Sequence, residues 1–173
     1  MQQITTFSEI KLIKNSLIVL DIDDTIIKSN LKNTQWWNSI YIKYMNSPHN
    51  FDDTLIDWIE RENICGIPCT ECIIDIDIYD FLEKAYQLNC NLILLTARSY
   101  NVMEMTKAQL HYIKFPDVPI YCGVDKGDIL FRVVNENYYD INDIIVVDDI
   151  DENLLDIQST LSDYNLYLYQ MIS

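Results

Sequence analysis

One stretch near the start of the sequence constrains the fold most strongly. Leu17–Leu20 is an uninterrupted run of Leu, Ile and Val, and it ends at once in Asp21. Such a run is typical of a strand that is buried on both faces of a parallel sheet. Asp23 and Thr25 follow closely, so polar groups gather at the carboxyl end of the predicted strand, which is where open α/β sheets bind ligands. The sequence therefore predicts an α/β protein with a site at this edge.

The first two carboxylates indicate what that site holds. Asp21 and Asp23 are two positions apart, so both side chains point to one side while the chain stays extended. Two such groups repel each other, and a divalent cation relieves the repulsion, with Mg²⁺ the usual choice for oxygen ligands. Taken alone, these residues are also compatible with an acidic surface turn.

Later stretches repeat the pattern of an apolar run that ends in polar residues. A second run ends at Thr96, and a third ends at Asp148 and Asp149. Between them, Lys126 stands where a short strand gives way to a predicted helix. All of these residues are expected at the same edge of the sheet.

In this order, the motifs resemble the four-motif signature of the haloacid dehalogenase (HAD) superfamily over residues 17–153. The resemblance implies a three-layer α/β/α, Rossmann-like HAD core with a parallel sheet and a small helical cap. Three short stretches also resemble a poorly characterised HAD-like family of bacteria that live inside eukaryotic cells: Gln35-Trp36-Trp37, Thr96-Ala97-Arg98 and Lys126-Gly127.

The resemblance implies a mechanism as well. Asp21 would be the nucleophile that forms an aspartyl-phosphate, and Asp23 would be the general acid and then the general base. The Asp21 carboxylate, the Asp23 backbone carbonyl, Asp148 and Asp149 would hold Mg²⁺. Asn153 would support the fourth motif from its helix.

Four residues are expected to bind the phosphate or the substrate. In an acidic chain, a bound phosphate needs local positive charge, and Arg98 and Lys126 are the candidates for it. The hydroxyl of Thr96, at the predicted start of a helix, would add a donor, and Thr25 would fix the acidic loop. Asp24 departs from the family pattern, in which glycine is common at this position.

The chain length fits a single HAD-like domain over residues 1–173, with a cap insertion at about 30–70. Two helical patterns lie in the insertion. Their aromatic residues either bind a substrate or hold the two helices together, and packing is the more frequent role of such residues. These residues are Trp36, Trp37, Tyr41 and Trp58.

Charge and cysteine content limit the partners and the compartment. The formal net charge of −15 argues against a nucleic-acid or anionic-membrane surface, and we find neither a membrane span nor a signal peptide. Five cysteines, an odd number, favour a reducing compartment, so we expect a cytoplasmic protein, in its source cell or in an infected host. A zinc site is the less favoured alternative to unpaired thiols for Cys65, Cys69 and Cys72 with His49.

The predicted function is a Mg²⁺-dependent phosphohydrolase that acts on a small phosphomonoester. The alternatives are a phosphotransferase and a catalytically silent HAD-fold binding protein. A small cap leaves the pocket partly open, so a homodimer that closes it is a further hypothesis.

Local patterns predict the remaining elements. The helices are expected over residues 5–14, 77–88 with Asp77 as N-cap, 96–113, 128–138, and 152–161 with Asp151 as N-cap, and a final edge strand over Asn165–Met171.

Overall fold

The computed structural model describes residues 1–27, 73–98, 100 and 103–172. Within these residues, the strands are β1 Gln2–Ile4, β2 Leu17–Leu20, β3 Asn91–Thr96, β4 Ile120–Cys122, β5 Asp143–Asp148 and β6 Asn165–Met171. The helices are α1 Ile78–Gln87, α2 Met103–Tyr112, α3 Lys126–Asn137 and α4 Asp151–Thr160. The strands form one parallel sheet in the order β1-β6-β5-β2-β3-β4.

Helices cover both faces of the sheet. Successive residues of β2 point to opposite faces, so Ile18 and Leu20 join one apolar cluster with α1 and α2, while Leu17 and Val19 join another with α3 and α4. The predicted three-layer α/β/α fold with a parallel sheet is confirmed. None of the helices in the described part of the chain combines the length and the apolar character that a membrane span requires.

The register of the sheet places the predicted motifs side by side. Leu20, the last residue of β2, pairs with Val147 of β5 and with Leu94 of β3. Asp21 and Asp148 therefore follow paired residues on neighbouring strands. From β2 the chain passes to β3 on one side and later returns to β5 on the other, so the site lies at a topological switch point of the sheet.

Strand β6 is not the edge strand that the sequence predicts. The structure adds β1 beyond it, with Ile4 opposite Met171. Strand β1 has only three residues, of which two are exposed, so it carries too short an apolar pattern to be recognised in the sequence.

Two predicted helices differ from the structure. Residues 5–14 contain only a 3-10 helix, Phe7–Glu9, which a capping box between Thr6 and Glu9 holds. Thr96 does not open a helix, because it is the last residue of β3 and α2 begins at Met103.

The predicted caps are also partly wrong. Asp77 occupies the N-cap position of α1 but makes no capping hydrogen bond with its side chain. Asp151 is the first residue of α4, and Ile150 takes the N-cap position.

The residues that flank the predicted cap insertion pair with each other. Ile27 forms an antiparallel bridge with Ile73, and the backbone N–H of Ile74 donates to the carbonyl of Ile26 over 3.1 Å. The cap predicted at about residues 30–70 lies outside the described residues, as do its aromatic residues and the candidate zinc ligands.

Helix α4 holds the first turn of α3. The Asp156 carboxylate accepts a hydrogen bond from the backbone N–H of Gly127 over 2.7 Å. A Cβ atom on Gly127 would lie 2.6 Å from the Thr160 hydroxyl and 2.9 Å from the Asp156 carboxylate, so the two helices approach this closely only because the residue is glycine. An anion at this position also interacts favourably with the helix dipole.

We expect the substitution Asp156→Ala to lower the free energy of unfolding by about 1 kcal/mol, because it leaves a helix N-terminus without its acceptor. Urea denaturation followed by circular dichroism measures this loss. Gln158→Ala, at an exposed position of the same helix, is the control and should change stability by less than about 0.5 kcal/mol. Equal stability of the two variants would contradict a capping role for Asp156.

Candidate active site

The centre of the site is a buried lysine between two buried aspartates. The ammonium of Lys126 donates to Asp21 Oδ1 over 2.7 Å and to Asp148 Oδ2 over 2.6 Å. The side chains of Lys126 and Asp148 are 2% exposed, and that of Asp21 is 7% exposed. One cation thus serves two carboxylates in a part of the protein that excludes water, which makes each contact strong.

Neighbouring elements fix both aspartates. The second oxygen of Asp148 accepts from the backbone N–H of Ile150 over 2.9 Å and from the Asn153 amide over 3.0 Å. The support expected from Asn153 is therefore confirmed. The backbone N–H of Asp21 donates to the carbonyl of Val147 over 2.9 Å, which extends the pairing of β2 with β5 by one residue.

A third carboxylate completes an acidic cluster. Asp21, Asp148 and Asp149 each offer an oxygen, and these atoms lie within 4.8 Å of one another. Burial raises the pKa of Asp149 to about 7, and the nearby Asp148 and Asp24 carboxylates add to this effect. All three side chains offer oxygen ligands, the donor type that Mg²⁺ prefers.

The charges of the cluster do not balance without a further cation. Burial raises the pKa of Asp21 well above its usual range, and Lys126 only partly offsets the effect. Burial works to lower the pKa of Lys126, but Asp21 and Asp148 more than offset this, so it is raised and the residue stays charged. With both carboxyl groups ionised, Asp21, Asp148 and one ammonium carry a net negative charge, and Asp149 adds to it when it is ionised, so a cation would favour the ionised forms whose pKa values are raised here. The donor set and its charge both fit a divalent cation.

The acidic loop makes a tight turn after Asp21. The backbone N–H groups of Ile26 and Ile27 both donate to the carbonyl of Ile22 over 2.9 Å. Asp24 has a φ of 56°, in the left-handed region that glycine adopts at lowest cost. Thr25 is buried, and among the described residues its hydroxyl has no hydrogen-bond partner, so the anchoring bond expected of it is not found there.

Asp23 faces a different cation from Asp21. Arg98 holds both of its oxygens, through Nε over 2.7 Å and through Nη2 over 2.8 Å. The other terminal nitrogen of Arg98 donates to Thr106 Oγ1 over 3.0 Å and to Gln109 Oε1 over 2.7 Å, both on α2. Sequence reasoning missed Thr106 and Gln109, because polar residues within a helix carry no signal of what they contact. In the structure, Arg98 therefore binds Asp23 and α2. Its expected role as a phosphate ligand stays a prediction.

Thr96 ends β3 next to the acidic loop. It is buried, its hydroxyl accepts from the backbone N–H of Arg98 over 3.2 Å, and its carbonyl accepts from Gly123 over 2.9 Å. It therefore stabilises the turn after β3 and does not cap α2. The oxygen of this hydroxyl accepts, so its proton is the donor expected to face a phosphate.

A cavity of about 240 Å³ lies elsewhere, between α2 and the strand β4. Lys107, His111 and Phe115 are among its lining residues, and none of the predicted site residues lines it. His111 is exposed there.

The fold and site define the class of protein: a three-layer α/β protein with an acidic site at the carboxyl edge of its parallel sheet. Residues 1–120 match the family described as "Protein of unknown function (DUF2608)", and the chain belongs to that family. It is also similar in fold to the Legionella pneumophila effector Ceg4, whose crystal structure carries an N-terminal yeast Hog1p sequence. That match has a TM-score of 0.53 and 15% identity, and it covers 94% of this chain and 89% of the other. No curated protein sequence gives a significant match.

Removal of the central cation is expected to destabilise the protein strongly. Lys126→Met leaves Asp21 and Asp148 buried without compensation, which should lower the free energy of unfolding by about 3–5 kcal/mol near neutral pH. Added Mg²⁺ should restore part of the melting temperature, because it replaces the lost positive charge.

Lys107→Met is the matched control, since Lys107 forms an exposed pair with Glu104 over 3.2 Å and should contribute less than about 1 kcal/mol. A Lys126→Met variant as stable as this control, or one that does not respond to Mg²⁺, would contradict the electrostatic account of the site.

The left-handed residue of the acidic loop gives a second test. Asp24→Gly and Asp24→Ala both remove the carboxylate, but only glycine adopts a φ of 56° without a steric cost. We expect the glycine variant to be more stable than the alanine variant by about 1 kcal/mol in urea denaturation. Equal stability, or a more stable alanine variant, would show that the loop does not keep this conformation.

Proposed function

We propose that the chain is a Mg²⁺-dependent phosphohydrolase of the HAD type, which cleaves a small phosphomonoester through an aspartyl-phosphate on Asp21. The observation that carries the proposal is the buried Asp21–Lys126–Asp148 cluster at the carboxyl edge of the sheet, with Asp149 beside it. Burying two carboxylates around one lysine, with a third half-buried beside them, costs stability, and an active site is where proteins accept such a cost.

Asp21 makes the first bond. One of its carboxylate oxygens attacks phosphorus, and the bond from phosphorus to the ester oxygen breaks. The electron pair stays on the leaving oxygen, which takes a proton from the Asp23 carboxyl. An alcohol leaves and a phosphoryl group remains on Asp21.

Water then releases the phosphate. Asp23, now a carboxylate, takes a proton from water as the water oxygen attacks phosphorus. The bond from phosphorus to Asp21 breaks, which returns Asp21 as a carboxylate and frees inorganic phosphate. Both steps need Asp23 within reach of the same phosphoryl group.

The metal is assigned to the acidic cluster. The carboxylates of Asp21 and Asp148 and the backbone carbonyl of Asp23 would hold Mg²⁺, with Asp149 direct or through water, and the bound ion supplies positive charge where two anions approach. Lys126 and Thr96 would hold the non-bridging phosphate oxygens and offset charge in the transition state. Lys126 is already charged and buried, so it needs little rearrangement for this task.

The properties of the whole chain favour a small substrate inside a cell. A formal charge of −15 opposes binding of nucleic acid, and five cysteines, an odd number, favour a reducing compartment. We include the cytoplasm, of the source cell or of an infected host, and a homodimer that closes the site as parts of the proposal.

Release of phosphate from a panel of phosphomonoesters, with Mg²⁺ and with EDTA, tests the proposal. We expect turnover only with the metal, and Asp21→Asn should reduce it by at least about 10³-fold because the amide is not a nucleophile. Asp163→Asn, the same change at an exposed turn position, should leave turnover intact.

The outcomes separate the function classes. Full activity of Asp21→Asn would exclude Asp21 as the nucleophile. No turnover by the folded wild-type protein on any ester of the panel would overturn the proposal in favour of a catalytically silent binding protein. Transfer of phosphate to an added alcohol in preference to water would indicate a phosphotransferase.

A further inference from the structure

The geometry points to Arg98 as a positioning residue that orients the Asp23 carboxyl towards the leaving group, and to Thr106 and Gln109 on α2 as the residues that hold Arg98. This inference rests on the proposed function, since it assigns Asp23 the task of proton transfer. Arg98 and Asp23 form a two-point contact over 2.7 and 2.8 Å. Such a contact fixes the rotation of a carboxyl group, which a single hydrogen bond does not.

The donors of Arg98 are nearly all used. A guanidinium has five N–H groups, and four of them make the hydrogen bonds to Asp23, Thr106 and Gln109. Within the described part of the chain the fifth N–H has no acceptor, so Arg98 lacks the pair of donors that would bind a phosphate at two points while it holds Asp23. Holding Asp23 and gripping the substrate are therefore alternative tasks, and the observed contacts favour the first.

The burial of Arg98 opposes its separation from Asp23. Its side chain is 12% exposed, against 30% for that of Asp23. If the pair separated, a largely buried guanidinium would lose both of its hydrogen bonds to Asp23. Thr106 and Gln109 bind the one guanidinium nitrogen that Asp23 does not, so all three nitrogens are held, which fixes the plane of the guanidinium and, through the two-point contact, that of the carboxyl.

This role makes a chemical prediction that a merely structural role does not. A proton donor accelerates the departure of an alkoxide, whereas p-nitrophenolate is a stable anion and leaves without one. Misplacing the Asp23 carboxyl should therefore slow cleavage of an alkyl phosphate far more than that of p-nitrophenyl phosphate. If Arg98 instead gripped the phosphoryl group, both esters would suffer equally.

The experiment compares kcat and KM for glycerol phosphate and p-nitrophenyl phosphate with Mg²⁺ present. Arg98→Lys keeps the charge but loses the two-point contact. We expect it to lower kcat by about 10²-fold or more on the alkyl ester and by less than about 10-fold on the aryl ester, with KM little changed on both.

Gln109 offers a second route that does not alter the site directly. Gln109→Ala removes one acceptor of Arg98 and should reproduce the same selectivity for the leaving group in weaker form, about 3- to 10-fold on the alkyl ester. Gln109→Glu keeps an acceptor oxygen and should recover most of that loss. Circular dichroism and melting temperature establish that each variant is folded.

The kinetic results distinguish a positioning role of Arg98 from phosphate binding. Equal losses on both esters, or a rise in KM with kcat unchanged, would overturn the inference and make Arg98 a phosphate ligand, while the wild-type activity upholds the proposed function. If Arg98→Lys does not fold, the Gln109 pair decides: selectivity in Gln109→Ala supports the inference, and wild-type behaviour of both Gln109 variants overturns it. A wild-type protein without turnover on either ester or on any other ester of the panel overturns the proposed function and the inference with it.

Discussion

The ammonium of Lys126 between two buried carboxylates is the interaction on which the rest of the structure depends. Asp21 comes from the end of β2, Asp148 from the end of β5, and Lys126 from the start of α3. Each of these charges would cost several kcal/mol if it were buried alone. The register of β2 against β5 and the docking of α3 on the sheet must therefore be correct together. A misaligned strand or helix would leave one of these charges buried without its partner, so the site favours the correct fold, and the fold in turn positions the site.

The structure also separates two aspartates that are neighbours in the sequence. Asp21 is buried and shares the ammonium of Lys126 with Asp148, whereas Asp23 is more exposed and holds the guanidinium of Arg98. Chemically identical side chains thus acquire different surroundings, which is how proteins give two carboxyl groups different tasks. An ammonium is a compact charge suited to sharing, and a guanidinium is a planar fork suited to orienting one partner.

The sequence predicts the layers of this fold well, because Leu17–Leu20 and the runs that end at Thr96 and Asp148 are apolar throughout, as buried parallel strands must be. It also predicts that Asp21, Lys126 and Asp148 meet, because the carboxyl ends of parallel strands share one edge. Strand β1 could not be predicted, since three residues with one buried side chain carry no period. Without β1, the sequence leaves β6 as the edge strand of the sheet.

Side-chain partners within the site were less predictable than their positions. The positive charge of Arg98 suggests a phosphate ligand. Only the three-dimensional structure shows that Asp23, Thr106 and Gln109 accept four hydrogen bonds from it. The start of α2 was misplaced because Thr96 has the residue type of an N-cap, yet its hydroxyl serves the turn after β3. Asn153 was placed correctly, since the resemblance puts it on the helix just after the fourth motif.

The bridge between Ile27 and Ile73 has an evolutionary consequence. Because Ile27 and Ile73 pair with each other, the two ends of the intervening segment lie at adjoining backbone positions, and closing that segment as a loop has an entropic cost that grows only slowly with its length. Segments of very different size are thus exchangeable at this point without a change in strand order. Evolution is therefore able to replace this single contiguous piece of the gene while the six-stranded sheet keeps its order.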